Sequence, residues 1–218
     1  MKPFEKWNYE EVELTFGLKK APQLATLTHW LEADEPIDAF EEATITRYLN
    51  GVRDRILFLN EDEIKFFFIS TILNLVNFNK PNVYSAFSQR TISAKVKDLK
   101  GTDILLRGRV EWLVALGVQN PRHPFFFLHE YKPQLKHSSD PRGQLLITML
   151  ATQTINQQPE QSLYGAYVIG QLWWFVVLEN NDYAISEAFD ATKSTELLKI
   201  FSLLKRCKSY IETAVENQ

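Results

Sequence analysis

A chain of 218 residues with 24 Lys+Arg against 27 Asp+Glu carries a formal net charge of −3, and at 45% hydrophobic and 23% charged it has the make-up of a core-burying protein, not of a disordered or fibrous one. The single cysteine, Cys207, excludes a disulfide framework and any multi-thiolate metal centre and points to a reducing compartment. The first residues lack an apolar stretch followed by a small-residue cleavage site, and the apolar runs 66–69 and 172–178 fall far short of the roughly 18 residues that span a bilayer, so a cytoplasmic protein without a membrane partner is expected.

Charge is segregated along the chain. The first 63 residues hold 7 basic and 14 acidic side chains, and the rest hold 17 and 13. Within the acidic part, Tyr9 to Leu18, Gln23 to Leu31 and Pro36 to Leu59 read as short helices broken at Pro22 and Pro36. Residues 1–59 are therefore expected to form a helical N-terminal extension whose acidic helices could meet a protein partner. Asn60 with Glu63 three positions on is a capping-box pattern. Ile64, Phe67, Phe68, Thr71, Ile72, Leu75 and Val76 follow at helical spacing, and Pro81 ends that helix at about Asn79.

The period then becomes two. Val83 to Val96 and Asp103 to Leu116 read as strands. In the second, alternation puts Ile104, Leu106, Val110, Trp112, Val114 and Leu116 on one face and Asp103, Arg107, Arg109 and Glu111 on the other. After a turn over 118–124, Phe125 to Lys132 is apolar until its last residues, which predicts a central strand covered on both faces. Asp140 as N-cap with Pro141 at the first helical position opens a helix to about Asn156. Leu163 to Ile169 and Leu172 to Glu179 read as a hairpin, Tyr183 to Ser186 as a short strand, and Ser194 to Val215 as a last helix. After residue 60 the order is α-β-β-β-α-β-β-α, a layered α/β pattern.

Glu130 and Lys132 stand two apart at the end of the apolar strand, so extended backbone points both to one side where the buried run meets solvent. Glu111 lies nineteen residues earlier on the polar face of the preceding strand. If the two strands pair, Glu111 and Glu130 can share a divalent cation, and oxygen ligands of this kind suit Mg²⁺ or Mn²⁺. The four histidines show no metal-ligand spacing, Trp173-Trp174-Phe175 reads as sheet packing, and Cys207 as a buried small hydrophobe. A Gly-rich phosphate loop, a dinucleotide fingerprint, HExxH and GxSxG are all absent from the sequence.

Gly108-Arg109-Val110-Glu111-Trp112, then Phe125 through Lys132 with Glu130-Tyr131-Lys132 at its end, then Arg142-Gly143-Gln144-Leu145-Leu146, form an ordered set. Together with the helix at 61–75 and the hairpin at 164–175, the set resembles the PD-(D/E)xK nuclease superfamily, in particular bacterial members related to restriction-enzyme nuclease domains. The resemblance covers about residues 60–190. It implies a restriction-endonuclease-like three-layer α/β/α core with a mixed central sheet over 60–218, and Mg²⁺-dependent hydrolysis of DNA phosphodiester bonds. Glu111, Glu130 and the main-chain carbonyl of Tyr131 would be metal ligands. Lys132 would orient or deprotonate the attacking water, Gln144 would position water or backbone, and Glu61 would add a carboxylate. Glu111 departs from the family's usual Asp at its position. Residues 80–142 hold 11 Lys+Arg and 5 Asp+Glu, which makes Arg107, Arg109 and Arg142 candidate phosphate contacts. The alternative is a catalytically inactive protein of the same fold that serves as a nucleic-acid-binding or protein-interaction module.

Overall fold

Seven strands after position 83, joined at one edge by Lys19–Lys20, build an open mixed sheet of eight strands in the computed structural model, which describes residues 2–132 and 140–216 apart from the side chains of Leu57, Glu61 and residues 129–132. The strands are β1 (Lys19–Lys20), β2 (Tyr84–Lys97), β3 (Asp103–Leu116), β4 (Arg122–Lys132), β5 (Leu163–Ile169), β6 (Leu172–Glu179), β7 (Asp182–Ile185) and β8 (Phe189–Asp190). Their order is β1-β7-β6-β5-β4-β3-β2, with β8 pairing β6. β4 and β5 run parallel, as do β1 and β7, and the other pairs are antiparallel.

The helices are α1 (Tyr9–Phe16), α2 (Ala25–Leu31), α3 (Ala39–Val52), α4 (Glu61–Ile64), α5 (Ser70–Val76), α6 (Pro141–Asn156) and α7 (Ser194–Glu216). They divide between two cores. In β4, Phe126 and Leu128 enter a core shared with α2, α3, α4, α5 and α7, whereas Phe127 between them enters a core shared with α1 and α6. This is the central strand covered on both faces that the apolar run predicts, with 125–128 all buried.

The segment before residue 60 contributes to both cores: Phe4, Trp7, Val12 and Phe16 to one, Leu27, Trp30, Ile45 and Leu49 to the other. Trp30 is fully buried, and its indole N–H donates to the Leu203 carbonyl of α7 at 2.8 Å. Its acids are partly consumed inside the molecule. Glu41 pairs with Lys205 at 2.9 Å and Glu35 with Arg206 at 2.8 Å, tying the acidic helices to the basic side of α7.

Two periodicity expectations need correction. The helix after Asn60 has its capping box, with Glu63 N–H donating to the Asn60 side chain and Asn60 N–H to the Glu63 carboxylate. It then widens into a π-turn over Lys65–Ile69, in which the Ser70 N–H donates to the carbonyl of Lys65 five residues back. The wider turn shifts the apolar register, so Phe66 and Phe67 are exposed while Phe68, Ile69 and Leu73 are buried. In β3 the single apolar face holds only to Val110. Leu106, Val110, Leu113 and Ala115 share one core and Val114 enters the other, so the parity changes between Val110 and Leu113. The ladder to β2 explains the change: pairing runs from Ser88 with Trp112 to Arg90 with Val110, stepping over Gln89 and Glu111, and Gln89 has a left-handed φ of 56°.

Candidate functional site

The break in the β2–β3 ladder sets the position of Glu111. On one side of it the sheet is buried on both faces; on the other, β2 and β3 continue as a two-stranded ribbon with one open face. Glu111 sits at that transition with its side chain 13% exposed, and its Oε2 lies 3.6 Å from the ammonium of Lys65. Lys65 is the first residue of the π-turn. The Ser70 hydroxyl adds a second hydrogen bond to the Lys65 carbonyl, at 2.6 Å, which holds that turn in place. A cavity of about 300 Å³ opens here, lined by Lys65, Ile69, Ser88, Gln89, Glu111 and Trp112 among others. π-turns within α-helices recur at functional sites.

The neighbouring strand brings the other predicted residues close in backbone terms. The last β3–β4 pair is Trp112 with Leu128, so Glu111 is one residue and Glu130 two residues beyond it on adjoining strands. The β4–β5 ladder pairs His129 with Tyr167 and Tyr131 with Val168, which leaves Glu130 as the extra residue of a β-bulge. Simple alternation between Glu130 and Lys132 therefore crosses an irregularity. The side chains of Glu61, Glu130, Tyr131 and Lys132 lie outside the described residues.

Gln144 lies in the first turns of α6. Asp140 caps the helix as its sequence predicts: Oδ1 accepts from Arg142 N–H at 3.1 Å and Oδ2 from Tyr9 N–H at 2.9 Å. Gly143 has no space for a side chain, because a Cβ there would lie 2.5 Å from the Trp7 carbonyl oxygen. Gln144 is 6% exposed, and its Oε1 is buried without a hydrogen-bond partner among the described residues. An orphaned buried acceptor costs about 1–3 kcal/mol, so such an atom calls for an explanation beyond packing.

The three candidate phosphate contacts differ. Arg107 and Arg109 project from the exposed face of the ribbon. Arg142 is already engaged: its Nε lies 3.3 Å from the Asp140 carboxylate, and its guanidinium stacks 4.2 Å from the Tyr9 ring centroid.

The chemistry of the described donors is that of a hard cation. Glu111 fits as one oxygen ligand for Mg²⁺ or Mn²⁺, ions that take one or two carboxylates and fill the remaining positions with water or phosphate oxygens. Among the described residues, no group of three or more His, Cys, Asp or Glu could hold a metal ion. Lys65, Ser88 and Gln89 were not anticipated around Glu111. The sequence signal for this is a charged Lys65 set between Ile64 and Phe66 within the apolar run 64–69. No protein-family model and no curated protein matches the chain.

Proposed function

We propose that the chain is a Mg²⁺- or Mn²⁺-dependent nuclease of the PD-(D/E)xK type with a restriction-endonuclease-like core, acting on DNA. The observation that carries the reading is the end of the β3–β4 ladder at Trp112 and Leu128, which sets Glu111 and the Glu130-Tyr131-Lys132 segment on adjoining strands. The helix–three-strand–helix–strand order, with α6 crossing from β4 to a parallel β5, supports it.

In this reading Glu111, Glu130 and the Tyr131 carbonyl hold the cation. When bound, the cation supplies Lewis-acid stabilisation of phosphoryl charge and lowers the pKa of a coordinated water. Lys132 orients the attacking water or takes its proton, and offsets negative charge that develops on the phosphate. Gln144 offers its Oε1, which has no partner among the described residues, as acceptor to a water, and its amide N–H as donor to the strand being cut. Arg107 and Arg109 contact backbone phosphates.

The test is incubation of the purified protein with plasmid and linear DNA in Mg²⁺ or Mn²⁺, beside Lys132→Ala. The expected result is metal-dependent cleavage that the substitution abolishes. Cleavage absent with both metals, or unchanged in the variant, overturns the assignment.

The Lys65–Glu111 ion pair favours a second reading, a catalytically silent module of the same fold that binds nucleic acid, since an ammonium 3.6 Å away competes with a metal for the carboxylate. A protein partner docked on the acidic N-terminal helices has less to recommend it, because Glu35 and Glu41 are already paired with α7.

A further inference from the structure

Beyond Glu111 the β2–β3 hairpin becomes a two-stranded ribbon with unlike faces. One face is apolar and buried: Ile92, Ala94, Val96, Leu106 and Val110. The other is set by four register pairs from Thr91–Arg109 to Lys97–Asp103, and all eight side chains on it are exposed. Four of the eight are cations, Lys95, Lys97, Arg107 and Arg109, and Asp103 is the single acid.

Among the described residues none of the four cations has an ion-pair partner, in contrast to Lys205 and Arg206 on α7. The nearby Asp98 is spent on its turn, where Oδ1 accepts from the N–H groups of Lys100 and Thr102. None of the eight residues is aromatic.

The ribbon is anchored. Phe4 packs directly on the backbone of Gly108, where a Cβ would lie 2.0 Å from the Phe4 ring. At the tip, the Leu99 N–H donates to the Thr15 carbonyl of α1 at 3.0 Å. The charged face is therefore held in a fixed relation to Glu111, which shares β3 with Arg109 and Arg107 at two-residue steps of roughly 6.6 Å.

We infer that this face is a docking surface for the phosphate backbone of duplex nucleic acid, leading the duplex to Glu111. Four cations against one acid on an anchored surface are the complement of a polyanion. Duplex is favoured over single strand because sequence-tolerant single-strand binding relies on aromatic stacking platforms, and this face offers no ring. A two-stranded ribbon also has the width that the major groove admits. The inference deepens the nuclease reading by naming its substrate, and rests on that reading only for the point of cleavage.

The test is fluorescence anisotropy in EDTA, so that no cutting occurs, with a labelled duplex and the same-sequence single strand, across a salt series. Wild type and Arg107→Gln/Arg109→Gln are compared, with thermal unfolding to show that the exposed changes leave the fold intact. The expected result is tighter binding of duplex than of single strand. The double variant should bind severalfold more weakly, with its log–log salt slope reduced by about 1.8, at roughly 0.9 per lost phosphate contact. Equal binding of both strands, or an affinity and slope unchanged in the variant, overturns the ribbon assignment even if cleavage depends on Lys132. Ribbon-dependent duplex binding without cleavage in Mg²⁺ or Mn²⁺ upholds it and removes the nuclease reading instead.

Discussion

The Lys65 ammonium lies 3.6 Å from the Glu111 carboxylate, with both side chains largely buried, at 22% and 13% exposed. If Glu111 is a metal ligand, Lys65 opposes the incoming cation. Two like charges at about 4 Å repel by about 1 kcal/mol even at the dielectric of water, and by more in a partly buried site. Lys65→Met should therefore tighten Mn²⁺ binding by roughly fivefold or more, measured by calorimetric titration. Glu111→Gln in the same background should abolish the gain. An affinity that Lys65→Met lowers would mean that Lys65 helps to build the metal site.

Gly108 and Phe4 test how the ribbon is carried. Any side chain at 108 enters the ring of a fully buried Phe4. Gly108→Ala should cost about 1–3 kcal/mol by overpacking, and Phe4→Ala about 3–5 kcal/mol by leaving a cavity. Because the two groups occupy one space, the double variant should be less destabilised than the sum, with a coupling of about 0.5–3 kcal/mol in urea unfolding. Strict additivity would show that the N-terminal segment does not brace β3.

Much of this architecture is legible in residue order, and the exceptions have identifiable causes. The Asp140 cap with Pro141, the hairpin at 163–179 and the fully apolar 125–128 run rest on local chemistry; the structure keeps the bounds of the first two and starts the third strand at Arg122, inside the stretch expected as a turn. The break at Gln89 and Glu111 is not local in this sense. It follows from two strands changing parity together, which no period-two count of one strand reveals. The π-turn at Lys65 is similar, since its extra residue becomes visible only when Phe67 is found exposed. Glu111 and Lys65 thus sit at two of the places where regular periodicity fails, and the bulge at Glu130 is another. Departures of this kind concentrate at functional sites.

Gln144 separates function from stability. Its Oε1 is buried and has no hydrogen-bond partner among the described residues, so no described contact repays the burial of that atom. Gln144→Leu, close in size and without the orphan acceptor, should be neutral or stabilising by about 1–2 kcal/mol. The same change should lower the cleavage rate if the amide touches water or substrate. A variant that is both less stable and equally active would assign Gln144 to packing alone.

Cys207 reports on how firmly α7 closes the core. The thiol is fully buried, and burial pushes its pKa well above the ordinary thiol value. The thiolate is the reactive species, so the native protein presents neither access nor the ionised form to a reagent. At pH 8 a disulfide-exchange reagent should label Cys207 only through opening, with a rate that rises steeply with urea and tracks global unfolding. The acid–base pairs from Glu35 and Glu41 to Arg206 and Lys205 flank this same helix. Glu41→Gln should therefore accelerate labelling, whereas Lys95→Gln on the distant ribbon should not. Rapid labelling of the wild type without denaturant would show that α7 opens independently of the sheet and that those pairs do not hold it closed.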